Sequence, residues 1–258
     1  MLGVVGWLEH GLPDEDSATT PSTSGNGSVT VAIVRYPTAS NLDEFKALEQ
    51  VALVRWASRP ADLQGAELVV LPGSKHVAGD LAWLRSAGLD RAVRARVRAG
   101  GRVLGVCGGL QMLGEQLRDP DRLDGDDRGL GLLPLRTTFR PEKLTRRTAV
   151  RFATDLAGTW APLAGRVLRG YEIRQGQTEP VAAVEEALPG GLGWVRGPVL
   201  GIALHGLLED SATLEALLGA APERSLDAAL DELTDAVIAG VQIDQIDQLA
   251  GSVRQATP

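Results

Sequence analysis

Arg102-Val103-Leu104-Gly105-Val106-Cys107-Gly108-Gly109-Leu110-Gln111-Met112-Leu113-Gly114 is the stretch that decides the fold. A short apolar run with strand character, Arg102 to Val106, passes through G-x-C-x-G into a helical segment starting near Gly109 and expected to reach Leu117. That is a strand–turn–helix elbow, the geometry that lifts a nucleophile clear of a sheet. The turn must be sharp, and glycines beside the displayed residue let neighbouring backbone approach where a Cβ would collide. A sulfur placed there also meets the free N–H groups at the start of a helix. A free cysteine is ordinarily a small buried hydrophobe. The bracketing glycines at a strand-to-helix switch favour a displayed thiol instead.

The same alternation continues on both sides of the elbow. Val29–Val34, Val51–Trp56 and Glu67–Leu71 read as strands, Leu42–Gln50 and Asp90–Ala99 as helices, the latter stopping at Gly100-Gly101. Thr148–Phe152 and Arg166–Ile173 read as further strands, antiparallel additions by their position, and Val199–Leu204 as a last buried strand. Strands alternating with helices predict an α/β fold, a mostly parallel sheet with helices on both faces. Residues 19–28 are small and polar and predict a flexible linker. They separate a short arm, 1–18, from a main domain over 29–215. A tail over 216–258 follows, with Leu226–Gly251 amphipathic and helical.

A cysteine nucleophile needs a base and an oxyanion hole. The chain has three histidines. His10 lies in the arm, and His76 follows the turn Pro72-Gly73-Ser74-Lys75. His205 comes directly after the buried run Val199–Leu204. Catalytic groups of a parallel sheet gather beyond the carboxyl ends of the strands. Cys107 and His205 both stand there, so His205 is the expected base; His10 and His76 read as ordinary side chains. The backbone N–H of Gly108, with one from Gly73 or its neighbour, would form the oxyanion hole.

Taken in order, Leu71-Pro72-Gly73-Ser74-Lys75, Asp80-Leu81-Ala82-Trp83-Leu84-Arg85, the elbow Gly105–Gly114, Gly129-Leu130-Gly131-Leu132-Leu133-Pro134, Gly170-Tyr171-Glu172-Ile173 and His205-Gly206-Leu207-Leu208-Glu209 resemble the class I glutamine amidotransferase domain of the cobyric acid synthase family. The resemblance runs from about residue 30 to about 212. It implies a flavodoxin-like domain in which Cys107 attacks glutamine, His205 moves the protons, and Gln111 helps hold the substrate. The His-x-Glu of the wider class is absent, with Leu207 at that position, so a Cys107–His205 dyad is expected, and Glu172 is a candidate acid to orient His205. The family's histidine after Tyr-Glu-Ile is replaced by Arg174.

The resemblance further implies cobalamin biosynthesis, with ammonia passed to a synthetase domain or subunit that binds the corrinoid. ATP and Mg belong to that part, and no cofactor is expected in this chain. No G-x-x-x-x-G-K-[ST] loop occurs in the sequence. Met1–Ser17 resembles the last segment of such a synthetase domain. Two other readings stay open: a stand-alone glutaminase subunit of the lipid II-amidating type, and a non-catalytic relic acting as an interaction module.

Composition narrows the classes. Lys plus Arg is 26 against 33 Asp plus Glu, a formal charge of −7, which disfavours a nucleic-acid or anionic-membrane binder. The single cysteine excludes an intrachain disulfide and a multi-cysteine metal site. It fits a cytoplasmic location. No apolar run approaches the ~18–20 residues that cross a bilayer.

Overall fold

The computed structural model describes residues 3–6, 23–25, 27–223 and 226–242. His10, most of the arm 1–18, the first part of the expected linker and the end of the Leu226–Gly251 helix lie outside these residues. In chain order, β1 is Thr23–Ser24, β2 Val29–Val34, β3 Ala39–Ser40, β4 Ala52–Ala57, β5 Leu68–Leu71 and β6 Gly73–Ser74. Helices α1, Val77–Ser86, and α2, Leu89–Arg98, precede β7, Arg102–Val106, and α3, Gly108–Leu113. Short strands follow: β8 Gln116–Arg118, β9 Asp127–Arg128 and β10 Leu135–Thr138. A hairpin of β11, Leu144–Arg151, and β12, Val167–Arg174, leads to β13, Gln177–Pro180. The last elements are β14 Glu185–Leu188, β15 Gly193–Arg196, β16 Val199–Ile202, α4 Ser211–Leu218 and α5 Leu226–Gly240.

The main sheet has the order β1-β4-β2-β5-β7-β16-β15-β14. Its five central strands are parallel. Counting only those five in chain order, the arrangement is 2-1-3-4-5, the flavodoxin-like doubly wound order. Both faces are covered, so β5 (Leu-Val-Val-Leu) and β16 (Val-Leu-Gly-Ile) are buried along their whole length and apolar without alternation. The α/β expectation holds, with antiparallel strands at both edges of the sheet.

Several expectations need correction. The segment Leu42–Gln50 is a 3-10 helix rather than an α-helix, entered through Asn41 in the left-handed region. The elbow helix ends at Leu113, where Gly114 takes an extended conformation, and Gln116–Arg118 is already strand. The second half of the expected linker is no free tether. Thr23 and Ser24 pair with Arg55 and Val54 on the edge of the sheet, and Ser24 Oγ donates to Glu49 Oε1 at 2.7 Å. The hairpin β11–β12 forms its own two-stranded sheet instead of extending the central one.

The chain divides into two compact units, one over 16–222 and one built from 1–15 with 223–258. The boundary thus falls later than the residue 215 expected. Within the smaller unit, Gly3 bridges Val241 and the Val4 N–H donates to Gly240 O at 2.9 Å.

Candidate active site

Four loops at the carboxyl ends of β2, β5, β7 and β16 build the site. After β7 the chain turns at Cys107, whose φ of 50° and ψ of −105° lie outside the regions an L-residue prefers. The turn is held from both sides: Cys107 N–H donates to Ile202 O at 2.8 Å, and Gln111 N–H to Cys107 O at 3.1 Å. Gly109 is obligatory, because a Cβ there would run into the Leu71 carbonyl. The thiol is 8 % exposed and donates to Ile173 O at 3.2 Å, the carbonyl of a β12 residue.

His205 follows β16 and is tied by backbone to β12, donating to Tyr171 O at 2.9 Å. The Tyr171 ring stacks on the imidazole with centroids 5.3 Å apart and planes 17° from parallel. His205 Nδ1 donates to Glu44 Oε1 at 2.9 Å, and the other carboxylate oxygen accepts from Gly206 N–H at 3.1 Å. Glu44 comes from the 3-10 helix and is almost wholly buried. With Nδ1 occupied, Nε2 is the nitrogen left for Cys107. Burial alone would favour the neutral ring, but hydrogen bonds and charge from Cys107 and Glu44 outweigh it, and the His205 pKa is pushed up to about 10.

Cys107, His205 and Gln111 line one cavity of about 260 Å³, with Ser40, Asn41 and Ser74 among its walls. At ~30 Å³ per water this is room for roughly nine waters, enough for an amino acid. Gly73 lies against the imidazole: a Cβ there would sit 3.0 Å from His205 Cε1. Gly108 packs on Ser74, so both expected oxyanion segments meet beside the thiol. The Pro72–Ser74 turn is itself pinned. The buried Tyr36 hydroxyl donates to Pro72 O. The buried Asp80 carboxylate accepts from Ser74 Oγ and Thr38 Oγ1, each at 2.6 Å, and from Thr38 N–H at 3.0 Å. A second, shallower cleft of about 370 Å³ beside Glu67, Arg96 and Arg102 holds no nucleophile.

Glu172 is not the acid that holds His205. It is fully buried and accepts from Arg146 Nε at 2.5 Å, Arg174 Nε at 3.0 Å and Thr148 Oγ1 at 3.2 Å. Successive strand residues face opposite ways, so Tyr171 on the imidazole turns Glu172 to the other side. Burial would raise the Glu172 pKa; Arg146 and Arg174 hold it below the usual carboxylate range. The exposed His76 caps α1 beside Asp124. Sequence reasoning missed Glu44. Its local signal was only adjacency to Phe45, which with Leu48 three residues on forms the buried stripe of that 3-10 helix. Among the described residues no cluster of three or more His, Cys, Asp or Glu forms a metal site, and no helix is long and apolar enough to cross a membrane.

A doubly wound sheet with a cysteine elbow and a histidine at the next strand end defines the class: a glutamine amidotransferase domain. Residues 30–213 match the CobB/CobQ-like glutamine amidotransferase domain, and the chain belongs to that family. It is 54% identical over 239 residues to cobyric acid synthase of Variovorax paradoxus, covering 89% of this chain and 50% of that one. With cobyric acid synthase of a Polaromonas species it shares 47% over 262 residues, covering 89% and 51%. The chain thus spans about half the length of the curated relatives it matches. Two solved structures share the fold. A glutamine amidotransferase is 20% identical with a TM-score of 0.55, covering 72% of this chain and 98% of that one. PurLQS from Thermotoga maritima is 17% identical with a TM-score of 0.56, covering 74% and 98%.

Proposed function

We propose that Cys107 is the nucleophile of a glutaminase whose ammonia serves an ATP-dependent amidation in corrinoid synthesis. The observation that carries this reading is the elbow cysteine beside a histidine whose far nitrogen is held by a buried carboxylate. Sγ attacks the side-chain amide carbon of L-glutamine as the thiolate, its proton held on His205. The carbonyl oxygen becomes an oxyanion facing the backbone N–H groups of Gly108 and the Gly73 segment. Collapse of the intermediate breaks the C–N bond, and the imidazolium gives its proton to the leaving nitrogen, releasing ammonia. Water then attacks the thioester, His205 takes a proton from it, and glutamate leaves with the thiol restored. Gln111 lines the cavity, which supports a contact with the substrate.

The corrinoid part of the reading rests on the relatives named cobyric acid synthase, and it takes ATP, Mg and the corrinoid to be bound by a synthetase partner. Those relatives also favour this reading over a lipid II-amidating subunit, and the intact Cys107 and His205 favour it over a relic. The test is covalent labelling with 6-diazo-5-oxo-L-norleucine followed by peptide mass spectrometry. One adduct at Cys107, absent in Cys107→Ser and slowed by about 100-fold or more in His205→Ala, is the expected result. Failure of the electrophile to label Cys107, while iodoacetamide does, would overturn it.

A further inference from the structure

A glutamine substrate carries a charged α-carboxylate, and the cavity that holds Cys107 has cationic side chains in its wall. Sγ of Cys107 rests on the Ile173 carbonyl, and the cavity wall continues through Arg174 and Gln175. Arg174 follows the residue whose carbonyl the thiol contacts and lines the same cavity as Cys107, His205 and Gln111.

The Arg174 guanidinium is oriented before any substrate arrives. Nε donates to Glu172 Oε2 at 3.0 Å and Nη1 to Gly176 O at 2.6 Å. Among the described residues Nη2 has no hydrogen-bond partner. The side chain keeps 18 % exposure, although Glu172 behind it has none. Glu172 is itself balanced by a second arginine, Arg146, so the pair of arginines outweighs it by one positive charge. Lys75 and Lys143 line the same cavity. Its one carboxylate, Asp124, is already engaged with Val77 N–H, Ala78 N–H and His76. The wall therefore has positive charge to spare for an anion.

We propose that Arg174 is the specificity residue that receives the α-carboxylate of glutamine, with Glu172 as the positioning residue that aims it. This rests on the glutaminase reading above. A planar guanidinium clamped on two of its donors and free on the third contributes to carboxylate binding with little ordering cost. Glu172→Gln is predicted to raise the half-saturating concentration of glutamine, because the Arg174 guanidinium loses the carboxylate that orients it.

The test compares 6-diazo-5-oxo-L-norleucine with its neutral α-carboxamide, reading the rate of Cys107 labelling against reagent concentration on the full chain. In the wild type the acid should half-saturate at about a 10- to 100-fold lower concentration than the amide, with similar maximal rates. Arg174→Gln should abolish that preference, the acid then half-saturating at the same concentration as the amide. A merely structural role for Arg174 would shift both reagents alike. Equal half-saturation of acid and amide on the wild type overturns the assignment alone, and needs no variant to fold. No labelling of the wild type by either reagent overturns the glutaminase reading and takes the assignment with it.

Discussion

Replacing the Glu44 carboxylate by an amide tests how His205 keeps its proton. Glu44→Gln retains a hydrogen-bond acceptor but removes the charge, one of the causes that raise the imidazole pKa to about 10. A group whose pKa is higher folded than unfolded stabilises fully below its unfolded value, about 6.5 for histidine, and loses that contribution as pH rises through the folded value. Wild-type stability from this group is thus present at pH 6 and lost on approaching about pH 10. In Glu44→Gln the loss should move to lower pH. Urea midpoints between about pH 6 and about pH 11, with NMR of the His205 Cε1 proton, measure it. Labelling of Cys107 should slow by roughly 10- to 100-fold. A pH profile superimposable on the wild type would show that Glu44 does not set the protonation. Cys107 and His205 were legible because each ends an apolar strand. Glu44 was not, since Leu42–Gln50 reads as an ordinary amphipathic segment and only the fold brings it under a histidine far along the chain.

At the scale of elements, the alternation of buried strands and helices was enough to give the parallel sheet, because strands covered on both faces are apolar throughout. The small strands β8, β9, β10 and β13 were not legible: two to four residues carry no period, and their pairing partners are set by loops of the surrounding fold. The elbow helix was read too long because its apolar pattern runs on past Gly114 into β8. What holds the loops together is a buried carboxylate. Asp80, on α1, bonds to Thr38 beyond β2 and to Ser74 in β6, joining two loops that flank the thiol. Asp80→Ala strands three part-buried donors, for which the roughly 1–3 kcal/mol of a fully buried unpaired donor is an upper figure each. The variant should lose roughly 2–4 kcal/mol by urea unfolding, with slower labelling of Cys107 as the Ser74 segment loosens. Unchanged stability would mean that water replaces the carboxylate and that the loops are held by other contacts.

For the whole molecule the question is which unit carries the chemistry. Every residue assigned to the site, from Glu44 to His205, belongs to the unit spanning 16–222, and so does the entire eight-stranded sheet. Among the described residues of the other unit, 1–15 with 223–258, Val4, Leu230, Val237 and Ile238 are all exposed. Local stability follows buried apolar contact, so amides of α5 should exchange with solvent well before those of β5, β7 and β16. By the same reasoning a chain shortened to residues 16–222 should unfold cooperatively and label at Cys107 within about twofold of the full-length rate. The shortened chain leaves each hydrogen bond to Cys107, His205 and Glu44 in place, since their partners all lie within it. Retained folding with lost labelling would assign the smaller unit a part in shaping the cavity. Co-equal exchange of α5 and the central strands would show that the two units unfold as one.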